Sequence, residues 1–337
     1  MPTKRSRSLH FWNVPIVGPA ILFTVAGLTG VPGVTKADQS QQLAPSTVNY
    51  AGATATNFRY HLALPAQSVY RSISNFTPRT PSRAQLHVAV APVLSFFPGD
   101  VSNEQPGPVV TSAESHNIYV DCEASCWGDP EGFLRDIGSS SFIQIVDQYV
   151  GDNTVGRYTL GASYPVNRTI YNGNIDSNEI LAIVDDASKH LGTGYKHIYH
   201  VFLPQGVDTC MSQSNNCYSP DNPSTFQFCA YHVSVDLPNN QHVLYTVEPY
   251  QVVDGCSVPG NTDNTTLNNS TDSSLSHELF ETITDPDSNG WIASAQTVKG
   301  QEIGDLCTGK NFSLAFGGRA YSIQLEYSNA AHACMGH

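Results

Sequence analysis

The sequence predicts a mixed α/β fold of the α+β kind: a twisted mixed sheet with packed helices, cross-linked by disulfides. Three features predict it. Apolar runs of strand length recur between 198 and 247, helical patterns of different character lie at 177–191 and around 275–285, and eight cysteines all fall beyond residue 121.

Taken in order, the chain begins with Lys4, Arg5 and Arg7, followed by an apolar stretch over 11–34 and a small residue, Ala37, at a cleavage region. That is the layout of a secretory signal peptide over 1–37. Pro15, Gly18, Gly27, Gly30 and Pro32 interrupt the apolar run and argue against a retained anchor, so no stable membrane insertion is expected once it is cleaved. Residues 38–105 carry Pro, Ser, Thr and Gln without sustained periodicity and read as a poorly structured leader or propeptide, with a strand at 86–94. The regular domain is expected over 106–337. Within it, 109–120 reads as a strand and 133–149 as a helix, although Gly138 and neighbouring serines weaken the latter. A clearer helix spans 177–191, closed by Gly192. Strands are expected at 198–203, 228–235 and 242–247, a polar loop at 261–273, and a late strand where Tyr321, Ile323, Leu325 and Tyr327 alternate.

Composition narrows the partners. The formal charge is −13, and loss of Lys4, Arg5, Arg7 and Lys36 with the signal takes it to −17. So negative a surface repels phosphate backbones, which excludes nucleic acid as a partner. An even number of cysteines in a secreted chain reads as disulfides, with neighbour pairing expected: Cys122–Cys126, Cys210–Cys217, Cys229–Cys256 and Cys307–Cys334. Bridged in this way, none is available as a nucleophile.

The chemistry concentrates in SLSHELFETITDP (274–286) and GQEIGDLC (300–307). Asp272 and the serines that follow it are helix starters, and Asp285-Pro286 is a stop. Leu275, Leu279 and Ile283 form one apolar stripe, and His277 and Glu281 recur at the same interval roughly 200° away. The stripe can pack on a sheet while His277 and Glu281 together grip one ion. Glu278 stands about 100° further round, placed to take a proton from a water that the ion has acidified. The loop that follows offers Glu302 and Asp305, one as a third ligand and the other as a supporting carboxylate, with either assignment open; Asp285 is a further candidate. Zinc is the expected metal, with manganese or calcium as alternatives for so oxygen-rich a site. With 12 histidines and 29 acidic residues, the bare His-acid-x-x-acid pattern would arise about 0.1 times by chance, so its context carries the weight.

These blocks carry a resemblance. HVFLPQGVDTC (200–210), FCAYH (228–232), SHELFETITDP (276–286), Gly290-Trp291, EIGDLC (302–307) and EYSNA (326–330) resemble a group of secreted microbial zincin-like metallopeptidases with an HExxE motif, over about residues 106 to 337. The resemblance implies a secreted hydrolase acting on an extracellular protein or peptide substrate, with His277, Glu278, Glu281, Glu302 and Asp305 on the matching positions. A more distant similarity, resting on GPVV (107–110), Ile118-Tyr119 and VFLP (201–204), is to Exordium-like (phosphate-induced) cell-wall proteins. It implies the alternative of a non-catalytic extracellular binding protein with a structural calcium ion.

The remaining constellations have plainer readings. His197, His200 and His232 read as structural or surface histidines, since ligands come in clusters. Asp185-Asp186 is a solvated helix face, and no Gly-x-Ser-x-Gly elbow or phosphate-binding glycine loop occurs.

Overall fold

A computed structural model describes residues 56–63, 100–103, 106–151, 153–168, 170, 173–211, 216–261, 263–293 and 301–337. The signal segment and the strand expected at 86–94 lie outside the described residues. The strands are β1 (Thr56–Ala63), β2 (Val101–Ser102), β3 (Ala113–Val120), β4 (Tyr158–Leu160), β5 (Tyr164–Val166), β6 (Asn174–Asp176), β7 (His197–Phe202), β8 (Asp208–Cys210), β9 (Cys217–Tyr218), β10 (Ala230–Leu237), β11 (Gln241–Glu248), β12 (Ile292–Ala293), β13 (Asn311–Phe316), β14 (Arg319–Gln324), β15 (Glu326–Ser328) and β16 (Ala333–Met335). The α-helices are α1 (Pro130–Ile137), α2 (Asp147–Val150), α3 (Ser177–Leu191) and α4 (Thr266–Thr284).

The mixed α/β expectation holds. A seven-stranded sheet runs β1-β10-β11-β7-β3-β4, with β5 also paired to β3. Its β11, β7, β3, β4 and β5 members are parallel neighbours, while β10 and β1 are antiparallel. Two segments of the region expected as a leader enter the fold: β1 lies along β10, and β2 pairs with β12.

Helices cover both faces of the sheet. Ile118, Val120, Tyr199, Val201, Val233 and Val243 pack with α3 on one face. On the other, Ile198, Phe202 and Leu244 join α1, α2 and the apolar stripe of α4 in a second core, where Phe142 stacks on Phe280 with ring centroids 4.5 Å apart. Each fully buried Leu, Ile or Phe contributes roughly 1.5–3 kcal/mol, so Leu275, Leu279, Phe280 and Ile283 together anchor α4 firmly.

The period-2 pattern of the strands has a consequence for the site. Tyr231, Val233, Val235 and Leu237 of β10 face α3, so His232 and Ser234 must face α4. Along β11 the same rule turns Leu244, Thr246 and Glu248 toward α4. The floor beneath α4 is therefore polar where it runs under the helix's acidic half.

Helix α3 spans the predicted residues, with an Asp176/Glu179 capping box. Two expectations need correction. The helix predicted over 133–149 is α1, a 3-10 turn over Phe142–Val146 and α2. It breaks where Gly138 lies against the Tyr158 carbonyl and the Ser140 hydroxyl bonds the Ile137 carbonyl. The loop predicted at 261–273 is largely the first half of α4, whose cap is Thr265 accepting from the Asn268 amide. Burial overrides propensity there. From Asn269 to Thr284 every residue is buried. Some of its polar side chains bond to nearby backbone, Ser270 donating to the Thr266 carbonyl and Asn269 to the Pro259 carbonyl. The β13–β14 hairpin and the 301–307 segment cover the far side of α4, and all four disulfides pair as expected. Among the described residues no helix is long and apolar enough to cross a membrane.

Beyond the C-terminal end of α4, Asp287 ties this segment to the sheet. His242 lies 3.1 Å from it through Nε2 and 2.7 Å from Asp236 through Nδ1. Burial alone would lower the His242 pKa, but its bonds to Asp287 and Asp236 outweigh burial and hold it above 6.5. Burial would likewise raise the Asp287 carboxyl; bonds from His242, Tyr195 and Ser234 prevail and bring it from 3.8 to about 2. A depressed acid stabilises the fold above its unfolded pKa and loses that contribution as pH falls; a raised base stabilises below its unfolded pKa and loses it as pH rises. The tie is therefore complete between about pH 4 and 6.5. At 1.36 kcal/mol per unit, the Asp287 shift is worth roughly 2 kcal/mol. His242→Gln is expected to destabilise by about 1–2 kcal/mol near pH 5 and by clearly less near pH 9, as read by urea unfolding. An equal deficit at both pH values would show that the pair is not what couples stability to pH.

Candidate metal centre

Three segments far apart in sequence converge beneath the hairpin. Helix α4 supplies His277, Glu278 and Glu281, the 301–307 segment supplies Glu302 and Asp305, and β10 supplies His232; all are buried. His277 Nε2 lies 3.2 Å from Glu281 Oε2 and 3.9 Å from Asp305 Oδ1. His232 Nε2 lies 3.1 Å from Glu302 Oε2 and 3.9 Å from Glu281 Oε2. Two triads of ligand-type atoms result, His277–Glu281–Asp305 and His232–Glu281–Glu302, each with its atoms within 4.8 Å of one another. They share Glu281.

The SHELFE and EIGDLC blocks are thus brought to one place, as the sequence predicts. The backbone N–H of Asp305 donates to Glu281 Oε1 at 2.9 Å, which orients that carboxylate. Asp285 is not drawn in: its Oδ1 caps the following turn by accepting from the Asn289 and Gly290 amides. Of the two readings of His232, structural or surface, the surface one falls: it is fully buried against two of the candidate carboxylates. The structure also adds Glu248 and Glu326, neither of them a sequence candidate, as buried carboxyl groups acting on His277.

The cluster concentrates buried side chains of metal-ligand type. Around Glu281 gather the carboxyl groups of Glu248, Glu278, Glu302, Asp305 and Glu326, with the imidazoles of His232 and His277 beside them. Burying uncompensated carboxylates is prohibitive, so such groups protonate or bind a cation. Burial drives the Glu278 and Glu326 pKa values well above 4.5, and drives Glu248 up to about 7 against hydroxyl bonds from Ser274 and Thr246. Burial would lower the His277 pKa, yet Glu281, Glu278 and Asp305 outweigh it and hold it well above 6.5. Among the described residues, neither oxygen of Glu278 and neither of Glu326 finds a hydrogen-bond partner.

The donor set meets a ligand's requirements at His277 as well. The Gln324 side-chain amide touches His277 Nδ1 at 2.7 Å and the Gly304 carbonyl at 2.9 Å. The side-chain nitrogen makes both contacts, donating to the Gly304 carbonyl, and it fixes the ring while Nε2 faces Glu281 and Asp305. A cavity of about 70 Å³ reaches His277 between Ser274, Thr308, Asn311 and the Cys229–Cys256 loop. It has room for more than one water.

The chain matches no protein-family model, no curated protein and no solved structure.

Glycine at 304 is demanded by space. A Cβ there would stand 2.8 Å from Glu281 Oε1 and 2.9 Å from His277 Nδ1. Gly304→Ala is therefore expected to force both side chains apart and destabilise the fold by about 1–3 kcal/mol, measured as a lowered urea midpoint. A midpoint unchanged from the parent protein would show that the 301–307 segment does not press on α4.

Proposed function

We propose that this chain is a secreted metal-dependent hydrolase, with zinc-dependent peptide-bond cleavage as the activity that fits its site best. One observation carries the reading: His277, Glu281, Asp305, Glu302 and His232 meet in the interior from three separate segments, beside a Glu278 with no hydrogen-bond partner. Four disulfides and the predicted signal support an oxidising, extracellular setting. The zincin-like resemblance points the same way.

In this reading His277, Glu281 and Asp305 hold the ion, with His232 and Glu302 positioning Glu281 or completing the coordination. Mixed imidazole and carboxylate donors suit zinc, and manganese or calcium as alternatives. When bound, the ion supplies Lewis acidity toward a carbonyl and acidifies water. Glu278, adjacent to His277 on the helix, accepts the proton drawn from the attacking water and returns it to the leaving amine. A divalent charge nearby also lowers its pKa toward the working range, because opposite charge favours the carboxylate. Gln324 keeps the His277 ring in register, and the cavity lined by Ser274 and Asn311 reaches that ring from outside.

A second reading, a non-catalytic extracellular binding protein with a structural calcium ion, is favoured by the near-complete burial and oxygen-rich character of the same cluster. The two separate on the protein purified from secretion. The enzyme reading expects about one zinc per chain and chelator-sensitive cleavage of casein or a peptide library. Glu278→Gln should then lower kcat/KM by about 10²–10⁴ with metal content unchanged. Undiminished cleavage by that variant rules out the proposed base, and calcium with inert peptides favours the binding protein. His232→Ala should weaken metal retention by about 10–100-fold against a competing chelator; equal retention would place His232 outside the coordination sphere.

A further inference from the structure

A second cluster of metal-ligand residues lies on the other face of the sheet, toward α3. Strands β3 and β7 are parallel neighbours whose register sets Glu114 opposite His197 and His116 opposite Tyr199. Glu114 and His116 are two residues apart, so they project from the same face as Ile118 and Val120, which pack with α3. His197 shares that face with Tyr199 and Val201. The sheet itself separates these three side chains from His277 and Glu281.

Their geometry is specific. His116 is buried and stacks on His197 and Tyr199, with ring centroids 5.3 Å apart in each pair. Its Nδ1 lies 3.0 Å from the Ala162 carbonyl oxygen. A carbonyl only accepts, so Nδ1 carries the proton and the lone pair sits on Nε2. A ligating histidine is usually fixed in this way, by a backbone carbonyl on its other nitrogen. His116 Nε2 faces His197 Nδ1 at 3.1 Å and Glu114 Oε2 at 3.7 Å. All three donor atoms lie within 4.8 Å of one another. With metal–ligand bonds of about 2.0–2.1 Å, tetrahedral geometry sets neighbouring donors roughly 3.3 Å apart. The observed separations bracket that value.

We propose that Glu114, His116 and His197 form a separate transition-metal site that clips the start of β3 to the start of β7. Two imidazole nitrogens and one carboxylate select zinc, copper(II) or nickel(II) over calcium and magnesium. Glu114 is exposed, which gives the ion access, and three protein donors leave a fourth position for water. The competing arrangement is a proton in place of the ion, with His197 donating from Nδ1 to His116 Nε2. It needs no contribution from Glu114.

Zinc titration of the metal-stripped full-length mature protein, followed by calorimetry, decides between them. His197→Gln and Glu114→Gln should each abolish or strongly weaken one zinc equivalent relative to the parent protein, and both should lose zinc-dependent thermal stabilisation at that site. A His277→Ala chain should keep the equivalent that His197→Gln removes, which separates this site from the one on α4. Glu114 is exposed, so its variant keeps the test valid if His197→Gln folds poorly. Identical zinc stoichiometry and affinity in the parent and both variants would overturn the proposal, as would a parent protein that takes up no zinc at all.

Discussion

The structure depends on the burial of six carboxyl groups around two imidazoles, with Glu281 at the centre. Carboxylates removed from water in such numbers repel one another and lose hydration worth many kcal/mol, which no hydrophobic contact nearby can offset. Positive charge must accompany them. Burial pushes the Glu278 and Glu326 carboxyl groups well above 4.5, and burial that would lower the His277 ring is outweighed by Glu281, Glu278 and Asp305. One divalent ion among them would relieve the repulsion and favour the anionic form of Glu278.

The scaffold explains how such a cluster is held. Helix α4 is buried along most of its length although its composition is polar, because it is clasped between the sheet and the β13–β14 hairpin. Its apolar stripe reaches the second core, so the acidic side is turned toward β10, β14 and the 301–307 segment. The Cys307–Cys334 bridge then ties that segment to the C-terminal strand. Ser274 donates to Glu248 and Ser276 accepts from the Gln324 amide, so the serines that make the helix look like a loop are its tethers to both neighbours.

Much of this was legible in the residues. The spacing of His277 and Glu281 against Leu275, Leu279 and Ile283 told which side of α4 packs and which side is chemical. Local signals sufficed for α3, for the four disulfides and for the three central strands, because capping, parity and alternation act over a few residues. The start of α4 was not legible, since Thr266 to Ser273 owe their helical state to burial that no local pattern announces. His232 was hidden for a related reason. A lone histidine carries no sign of its partners, and Glu302 lies seventy residues away. A signal did exist: β10 alternates His232 and Ser234 with Tyr231, Val233 and Val235, which gives a central strand one polar face. Such a face needs a polar partner above it. Glu326, inside the EYSNA block, and Glu248, closing β11, carry the same hint. Their meeting with His277 is a fact of tertiary topology.

Anomalous X-ray scattering from crystals of the secreted protein, recorded across the zinc absorption edge, probes the central idea most directly. The account predicts one peak within bonding distance of Glu281 and His277 Nε2. A cluster with no peak there, its carboxyl groups closed on one another through shared protons, would contradict it.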